Sequence, residues 1–245
     1  MEILYPYLAV LIVSVISLVG ILSFLIKKKN LDRFLVHFVS FAAGALLAAA
    51  FFDLIPQSIK HWGAKSVSYV FLGIILFFIM ERFLFFYHCH RKKCPYHTFT
   101  YVNLIGDGIH NFTDGMIIAA SFLVNVQLGI MTTIAIIFHE IPQEFGDFSI
   151  LIYGGIEKKK ALLYNFAVSL TAFIGVTLVY FSKDIITNVN SILVPLGAGG
   201  FIYLATTDLL PIVHKIEKPT ESLISLGFVL LGAAVILLIN FFIRF

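Results

Sequence analysis

Charge is what this chain has least of. Acidic and basic side chains make up 13% of its 245 residues, against 60% hydrophobic, and so apolar a chain cannot cover itself with the polar surface that a water-soluble protein needs. Cysteine is nearly absent: only Cys89 and Cys94 occur, close together in one polar segment. A disulfide framework is unlike such a chain, above all if that segment faces the reducing cytoplasm. Long polar linkers are missing too. The breaks between apolar stretches run from a few to about ten residues, so residues 1–245 read as one domain. No basic leader precedes the first apolar run, which has Glu2 before it and a lysine cluster after it. It is expected to be a retained helix, not a cleaved signal.

What remains is a series of apolar runs of about 20 residues, the length that crosses a hydrocarbon core of about 30 Å as helix. Eight are expected, over residues 5–26, 34–59, 66–87, 98–123, 128–154, 161–181, 191–214 and 223–242. Basic residues near membrane helices stay on the cytoplasmic side. They gather in alternate loops: Lys27, Lys28, Lys29 and Arg33; Arg91, Lys92 and Lys93; Lys158, Lys159 and Lys160; Lys215 and Lys218. These loops are therefore expected in the cytoplasm and both chain ends outside it. The net charge of +3 then reports topology, and no nucleic-acid partner is expected.

The second and seventh runs echo one another. Ala43 and Gly44 through Asp53-Leu54-Ile55-Pro56 match Ala198 and Gly199 through Asp208-Leu209-Leu210-Pro211, at a constant offset of 155 residues. The two runs would cross in opposite directions, as in transporters built from inverted repeats. Asp53 would then lie near the outer face and Asp208 near the inner. Close helix packing alone would explain the small residues, but not the paired Asp-x-x-Pro endings.

Ionisable groups within a bilayer are costly and rare, so a dense cluster of them is a functional signal. The fourth run holds Asp107, His110, Asn111 and Asp114, and the fifth holds His139, Glu140, Gln143, Glu144 and Asp147. His110 and Asp114 are four residues apart and share a helix face, as do His139 and Gln143. At about 1.5 Å of rise per residue, both histidines fall about 16 to 18 Å from an end of their helices, near the midplane. A short link around residues 125–127 makes the two helices antiparallel neighbours. Imidazole, carboxylate and amide donors at one depth suit Zn²⁺, Fe²⁺ or Mn²⁺ better than soft Cu⁺. Pro142 and the glycines nearby allow the irregular backbone that a polar cavity tolerates at such depth. A lone buried histidine is more often structural, but this many polar groups would leave several unsatisfied without a ligand.

On these residues the sequence resembles the ZIP (Zrt/Irt-like) metal transporters, in the branch with His-Asn-Phe-x-Asp-Gly followed by His-Glu-Ile-Pro-His-Glu. The motifs stand here as His110-Asn111-Phe112-Thr113-Asp114-Gly115 and His139-Glu140-Ile141-Pro142-Gln143-Glu144. The resemblance spans essentially all eight helices. It implies an all-α membrane protein whose eight transmembrane helices form a three, two and three inverted-repeat bundle, with metal held by the central pair and delivered to the cytoplasm. It implies a primary site of His110, Asp114, His139 and Gln143, and an adjoining site of Asn111, Asp114, Glu140 and Gln143, with Asn165 a weaker candidate for the second. Gln143 departs from the branch, which has histidine there. A neutral amide oxygen shifts preference toward harder ions such as Mn²⁺ or Fe²⁺, while Zn²⁺ remains the first choice of substrate and Cd²⁺ a further candidate.

Asp53, Asp107, Glu144, Asp147, Asn165 and Asp208 are weaker candidates for a metal pathway. His88, Cys89, His90, Cys94 and His97, in the loop at 88–97, resemble in position the family's histidine-rich cytoplasmic loop and could relay the exiting ion; a plain cationic loop fits equally well. The expected mechanism is alternating access past Asp53, the midplane and Asp208. Partners are the divalent ion and the lipid bilayer, with a homodimer left open, and the expected location is the cell membrane. The competing reading is an intramembrane zinc metalloprotease, because His139-Glu140-x-x-Gln143 approaches His-Glu-x-x-His. The missing second histidine and Pro142 oppose it. A bare scaffold or receptor bundle would leave the midplane carboxylates unexplained.

Overall fold

The computed structural model describes residues 3–21, 28–86, 96–182, 189–216 and 218–243. Among these residues there are eight helices and no strand. α1 is Leu4–Ile16 with a closing 3-10 turn, Ser17–Ile21. α2 runs from Lys28–Ala49 through a π-helical turn, Ala50–Leu54, into Ile55–Trp62. α3 is Ser66–Phe86, α4 Tyr96–Val124 and α5 Val126–Tyr153. α6 has two segments, Lys158–Ser169 and Thr171–Ser182. α7 runs from Val189–Leu204 through a second π-helical turn, Ala205–Leu209, into Leu210–His214, and α8 is Pro219–Ile243. Each of these helices overlaps one of the expected runs, of which residues 22–26 and 87 lie outside the described residues. Among the described residues, five stretches are long and apolar enough to cross a membrane: Leu4–Ile21, Leu35–Trp62, Lys158–Ser182, Val189–His214 and Pro219–Phe242. Large apolar side chains such as Phe71, Ile174, Phe181, Leu230 and Phe242 stand exposed, which is stable in lipid and not in water.

Lipid tails are as apolar as leucine, so helices in a bilayer associate through close packing and polar contacts, not through hydrophobic burial. Small residues supply the packing here. A Cβ on Gly44 would lie 1.9 Å from the Val229 carbonyl oxygen, and one on Gly199 would lie 2.2 Å from that of Val70. The first contact presses α2 on α8, and the second presses α7 on α3. Gly44 and Gly199 are repeat mates, so equivalent glycines make equivalent helix pairs.

The offset of 155 reappears in two further places. Ser14 Oγ of α1 donates to the Ser169 carbonyl at 3.1 Å, and Ser169 Oγ donates to the Ser14 carbonyl at 3.3 Å, across a separation of 155. Reciprocal bonds of this kind are what a local two-fold axis between α1 and α6 produces. The π turns are also repeat mates, starting at Ala50 and Ala205 and ending just before Pro56 and Pro211. Proline removes one backbone donor and its ring crowds the carbonyl four residues back. The chain answers with bonds five residues long, Ile55 N–H to Ala50 O and Leu210 N–H to Ala205 O. Such bulges reorient the side chains within them, and those are Asp53 and Asp208.

Packing divides the helices into two groups. α1, α4, α5 and α6 pack chiefly on one another, as do α2, α3, α7 and α8, and α2 against α5 is the broadest contact between the groups. Phe41 of α2 meets Phe138 of α5 edge-on, with ring centroids 4.7 Å apart, at that contact.

Candidate metal site

The polar cluster rests on the α4–α5 hairpin, whose register is set by its turn. Asn125 alone separates the two helices, in extended backbone, and its side-chain oxygen accepts from Leu128 N–H at 2.7 Å. Asparagine at this position satisfies one orphaned amide of the new helix and lets the chain reverse at once. The rungs of the hairpin follow. Thr132 Oγ1 donates to Ser121 Oγ at 3.0 Å near the turn, and Asn103 Nδ2 donates to Asp147 Oδ1 at 2.9 Å near the open end. The histidines lie between.

Four buried donors converge there: His110, Asp114, His139 and Glu140. The two Nε2 atoms are 3.1 Å apart. His110 Nε2 stands 3.2 Å from Glu140 Oε1 and 3.7 Å from Asp114 Oδ2, and His139 Nε2 stands 3.4 Å and 3.3 Å from the same two oxygens. A zinc ion held at about 2.0 to 2.1 Å by four ligands requires donor separations of about 3.3 Å in a tetrahedron, so these donors already surround a volume of the right size. His139 Nδ1 lies 3.4 Å from the Ala135 carbonyl oxygen. With Nδ1 toward that carbonyl, the ring directs Nε2 to the centre, the usual way a metal-binding imidazole is oriented.

The other candidates are distributed around this core. Asn111 is buried and donates through Nδ2 to the Asp107 carbonyl at 3.2 Å and to Asp107 Oδ1 at 2.7 Å. Glu144 and Asn165 are fully buried, and Asn165 Nδ2 donates to the Glu144 carbonyl at 3.1 Å. Gln143 is only partly buried. It lines a cavity of about 480 Å³ together with Asp107, His110, Asp147 and Asp208. Asp53 is instead buried, accepting from Asn240 Nδ2, and Gln127 Nε2 donates to Asn240 Oδ1 at 3.2 Å. His88, Cys89, His90 and Cys94 lie outside the described residues, and of His97 only the backbone is described.

Sequence reasoning passed over Glu81, Asn103 and Tyr203, which also line the cavity. The Tyr203 hydroxyl of α7 donates to the Glu81 carboxylate of α3. A carboxylate within an apolar run of this kind was a usable signal for Glu81. Tyr203 and Asn103 carry no charge and had none.

A family model described as "ZIP Zinc transporter" matches residues 3–98 and 88–240 of the chain. Among curated proteins, "Zinc transporter YKE4" of Saccharomyces cerevisiae is 30% identical over 243 residues, covering 82% of this chain and 70% of the yeast protein. "Zinc transporter ZIP13" of Pongo abelii is 29% identical over 225 residues, covering 85% and 68%. "Zinc transporter zipt-7.2" of Caenorhabditis elegans reaches 44% over a shorter stretch of 115 residues, 45% of this chain and 25% of the nematode protein.

Proposed function

The chain belongs to the ZIP zinc transporter family, and on that footing we propose that it carries Zn²⁺ across a membrane into the cytoplasm, holding the ion in transit at His110, Asp114, His139 and Glu140. The observation that carries this reading is the convergence of two imidazole nitrogens and two carboxylate oxygens, all buried, at tetrahedral separations within one helix hairpin. The carboxylates offset the cost of stripping water from a divalent ion in a low-dielectric surrounding, and the imidazoles favour zinc over Mg²⁺ or Ca²⁺. Fe²⁺, Mn²⁺ and Cd²⁺ are the competitors to be tested.

Transport follows from how the paths on either side of the site differ. The cavity leads from His110 past Asp107 and Asp147 to Asp208, whereas Asp53, the repeat mate of Asp208, is buried under Asn240. This is the arrangement of a carrier open on the Asp208 side and closed on the Asp53 side. The lysine-bearing loops assign the Asp208 side to the cytoplasm, with both chain ends opposite. Metal would enter past Asp53 when the group of α1, α4, α5 and α6 moves against the group of α2, α3, α7 and α8, which carries each Asp-x-x-Pro ending. The eight helices then form a three, two and three inverted repeat, and the local two-fold relation of Ser14 and Ser169 supports that arrangement. Import places the protein in a membrane that bounds the cytoplasm, with the cell membrane as the proposed location.

The protease alternative fares worse. Glu140 faces both imidazoles as a fourth donor, a position that suits a ligand and leaves no general base beside a metal-bound water. The test is radiolabelled zinc uptake into proteoliposomes. His110→Ala and His139→Ala are expected to abolish it, and unchanged uptake by both variants overturns the proposal.

A further inference from the structure

A second, smaller cavity of about 210 Å³ lies between α3, α4 and α7, beside the ion's path. Leu76 and Met80 of α3, Thr113 and Met116 of α4, and Leu193 and Leu196 of α7 line it. It exists because of how the three helices meet. A Cβ on Gly73 of α3 would lie 2.3 Å from the Leu196 carbonyl oxygen, and a Cβ on Gly197 would lie 2.7 Å from Ile117 Cγ2 of α4, so α7 presses closely on both neighbours. α3 and α4 themselves scarcely touch. The cavity is the gap left between them, and it reaches the outer surface of the bundle at Leu76, which is 45% exposed.

The lining decides what can fill it. Among the described residues its only polar side chain is Thr113, whose hydroxyl is already spent on the Ile109 carbonyl at 2.7 Å. An enclosed water needs about two to four polar partners, and apolar cavities of about 150 Å³ stay dry while accepting molecules the size of benzene. Water and ions are therefore excluded. Depth excludes a lipid headgroup as well. Thr113 is about 4.5 Å by helix rise from His110, so the opening faces the middle of the hydrocarbon layer, where acyl tails are the only neighbours. Left empty, the cavity would deprive its walls of dispersion contacts on that side.

Its position gives an occupant a consequence. α3 and α7 belong to one helix group and α4 to the other, so the cavity sits on the seam between the groups. Phe77 and Met80 line both this cavity and the larger one that leads from His110, which makes these two side chains the partition between lipid and ion.

We infer that the smaller cavity is a binding site for the end of one lipid acyl tail, which backs Phe77 and Met80 against the ion cavity. The site itself does not depend on which ion is carried. Its effect on transport rests on the reading above: a tail seated there touches both moving groups at once and favours the state in which the cavity exists.

The test uses the full chain in detergent, with palmitoyl-oleoyl phosphatidylcholine as the probe and bound lipid read by native mass spectrometry. After washing with detergent, the wild type is expected to carry one phosphatidylcholine. Leu193→Trp and Thr113→Leu place extra side-chain carbon in the cavity and should each weaken retention about tenfold or more. Ile174→Trp, at a 61% exposed position of α6, should retain lipid as the wild type does. Melting gives a second readout. Phosphatidylcholine at a hundredfold excess over its Kd should raise the melting temperature of the wild type and of Ile174→Trp by about 5 to 10 °C, and that of the filled variants by less than about 2 °C. Either filled variant suffices, provided it elutes as a monodisperse peak. No phosphatidylcholine on the washed wild type overturns the inference. Equal retention by all three variants overturns it too, because the lipid would then sit elsewhere. Neither readout involves zinc, so failure of the transport reading, seen as unchanged uptake by His110→Ala and His139→Ala, would leave both lipid results as expected.

Discussion

Glu140 and Gln143 compete for the fourth place in the zinc site, and the two can be separated by one pair of substitutions. The family resemblance puts Gln143 beside His110, Asp114 and His139, whereas the fold brings in the Glu140 carboxylate, 3.2 Å and 3.4 Å from the two imidazole nitrogens. Structural zinc sites with four ligands bind with about 10 to 16 kcal/mol, so an equal share is about 3 kcal/mol per ligand, or about a hundredfold in Kd. Glu140→Gln keeps the side-chain volume and removes the charge, and it is expected to cost that full share. Gln143→Ala should cost less than about fivefold, the effect of trimming a partly buried cavity wall. Zinc affinity in nanodiscs, measured by competition with a fluorescent chelator, reads both, and initial uptake rates at limiting zinc should follow the same order. The reasoning fails if Gln143→Ala weakens zinc as much as Glu140→Gln does, or if Glu140→Gln binds within about threefold of wild type.

Other perturbations test the frame around the site. Gly115→Ala and Gly175→Ala would set a Cβ 2.0 Å from the Ala172 carbonyl oxygen and 2.1 Å from that of Phe112, so each should lower thermal stability by about 1 to 3 kcal/mol as α4 and α6 are forced apart. Gly146→Ala meets nothing within 4 Å and should be neutral or raise the melting temperature slightly, since alanine is the better helix former by about 1 kcal/mol. Gln127→Ala removes a hydrogen bond from α5 to α8, and hence between the two helix groups. About 1 kcal/mol is at stake, so amide exchange at the α2 π turn and the end of α8 should quicken about fivefold. Acid should weaken zinc binding, because both imidazoles must be free of the Nε2 proton to ligate. Below the imidazole range each lost pH unit costs up to about tenfold in affinity per histidine, and a Kd that stays constant from pH 7 to 5 would count against the two-histidine site.

The fold was legible because a bilayer simplifies the code. Apolar length alone marked the helices, and the Asp-x-x-Pro echo at a fixed offset revealed the internal repeat before any contact was known. The π turns were not legible. Pro56 and Pro211 announced only that a backbone bond must be lost, and whether a helix kinks, ends or widens by one residue depends on neighbours that the local sequence does not name. The reciprocal bonds of Ser14 and Ser169 were equally hidden, since serine in an apolar helix reads first as a small residue.

Within the site, sequence spacing was informative along one helix and blind across two. It correctly grouped His110 with Asp114 on one face, because a spacing of four is a property of the helix itself. It grouped His139 with Gln143 by the same rule; in the fold the Glu140 carboxylate stands by both imidazoles, and Gln143 lines the cavity together with His110. The azimuth of α5 against α4 decides this, and that angle is fixed by the one-residue turn at Asn125, by Thr132 on Ser121 and by Asn103 on Asp147. A rotation by one residue, about 100°, would exchange Glu140 for its neighbour and lose the tetrahedral spacing. The turn chemistry at Asn125 is therefore part of the metal site although it lies 14 residues from His139. Lengthening that turn by a single glycine should lower zinc affinity as much as removing a ligand does, even though every donor is still present; a variant with the insertion and wild-type affinity would show that the donors find the ion without the hairpin's guidance.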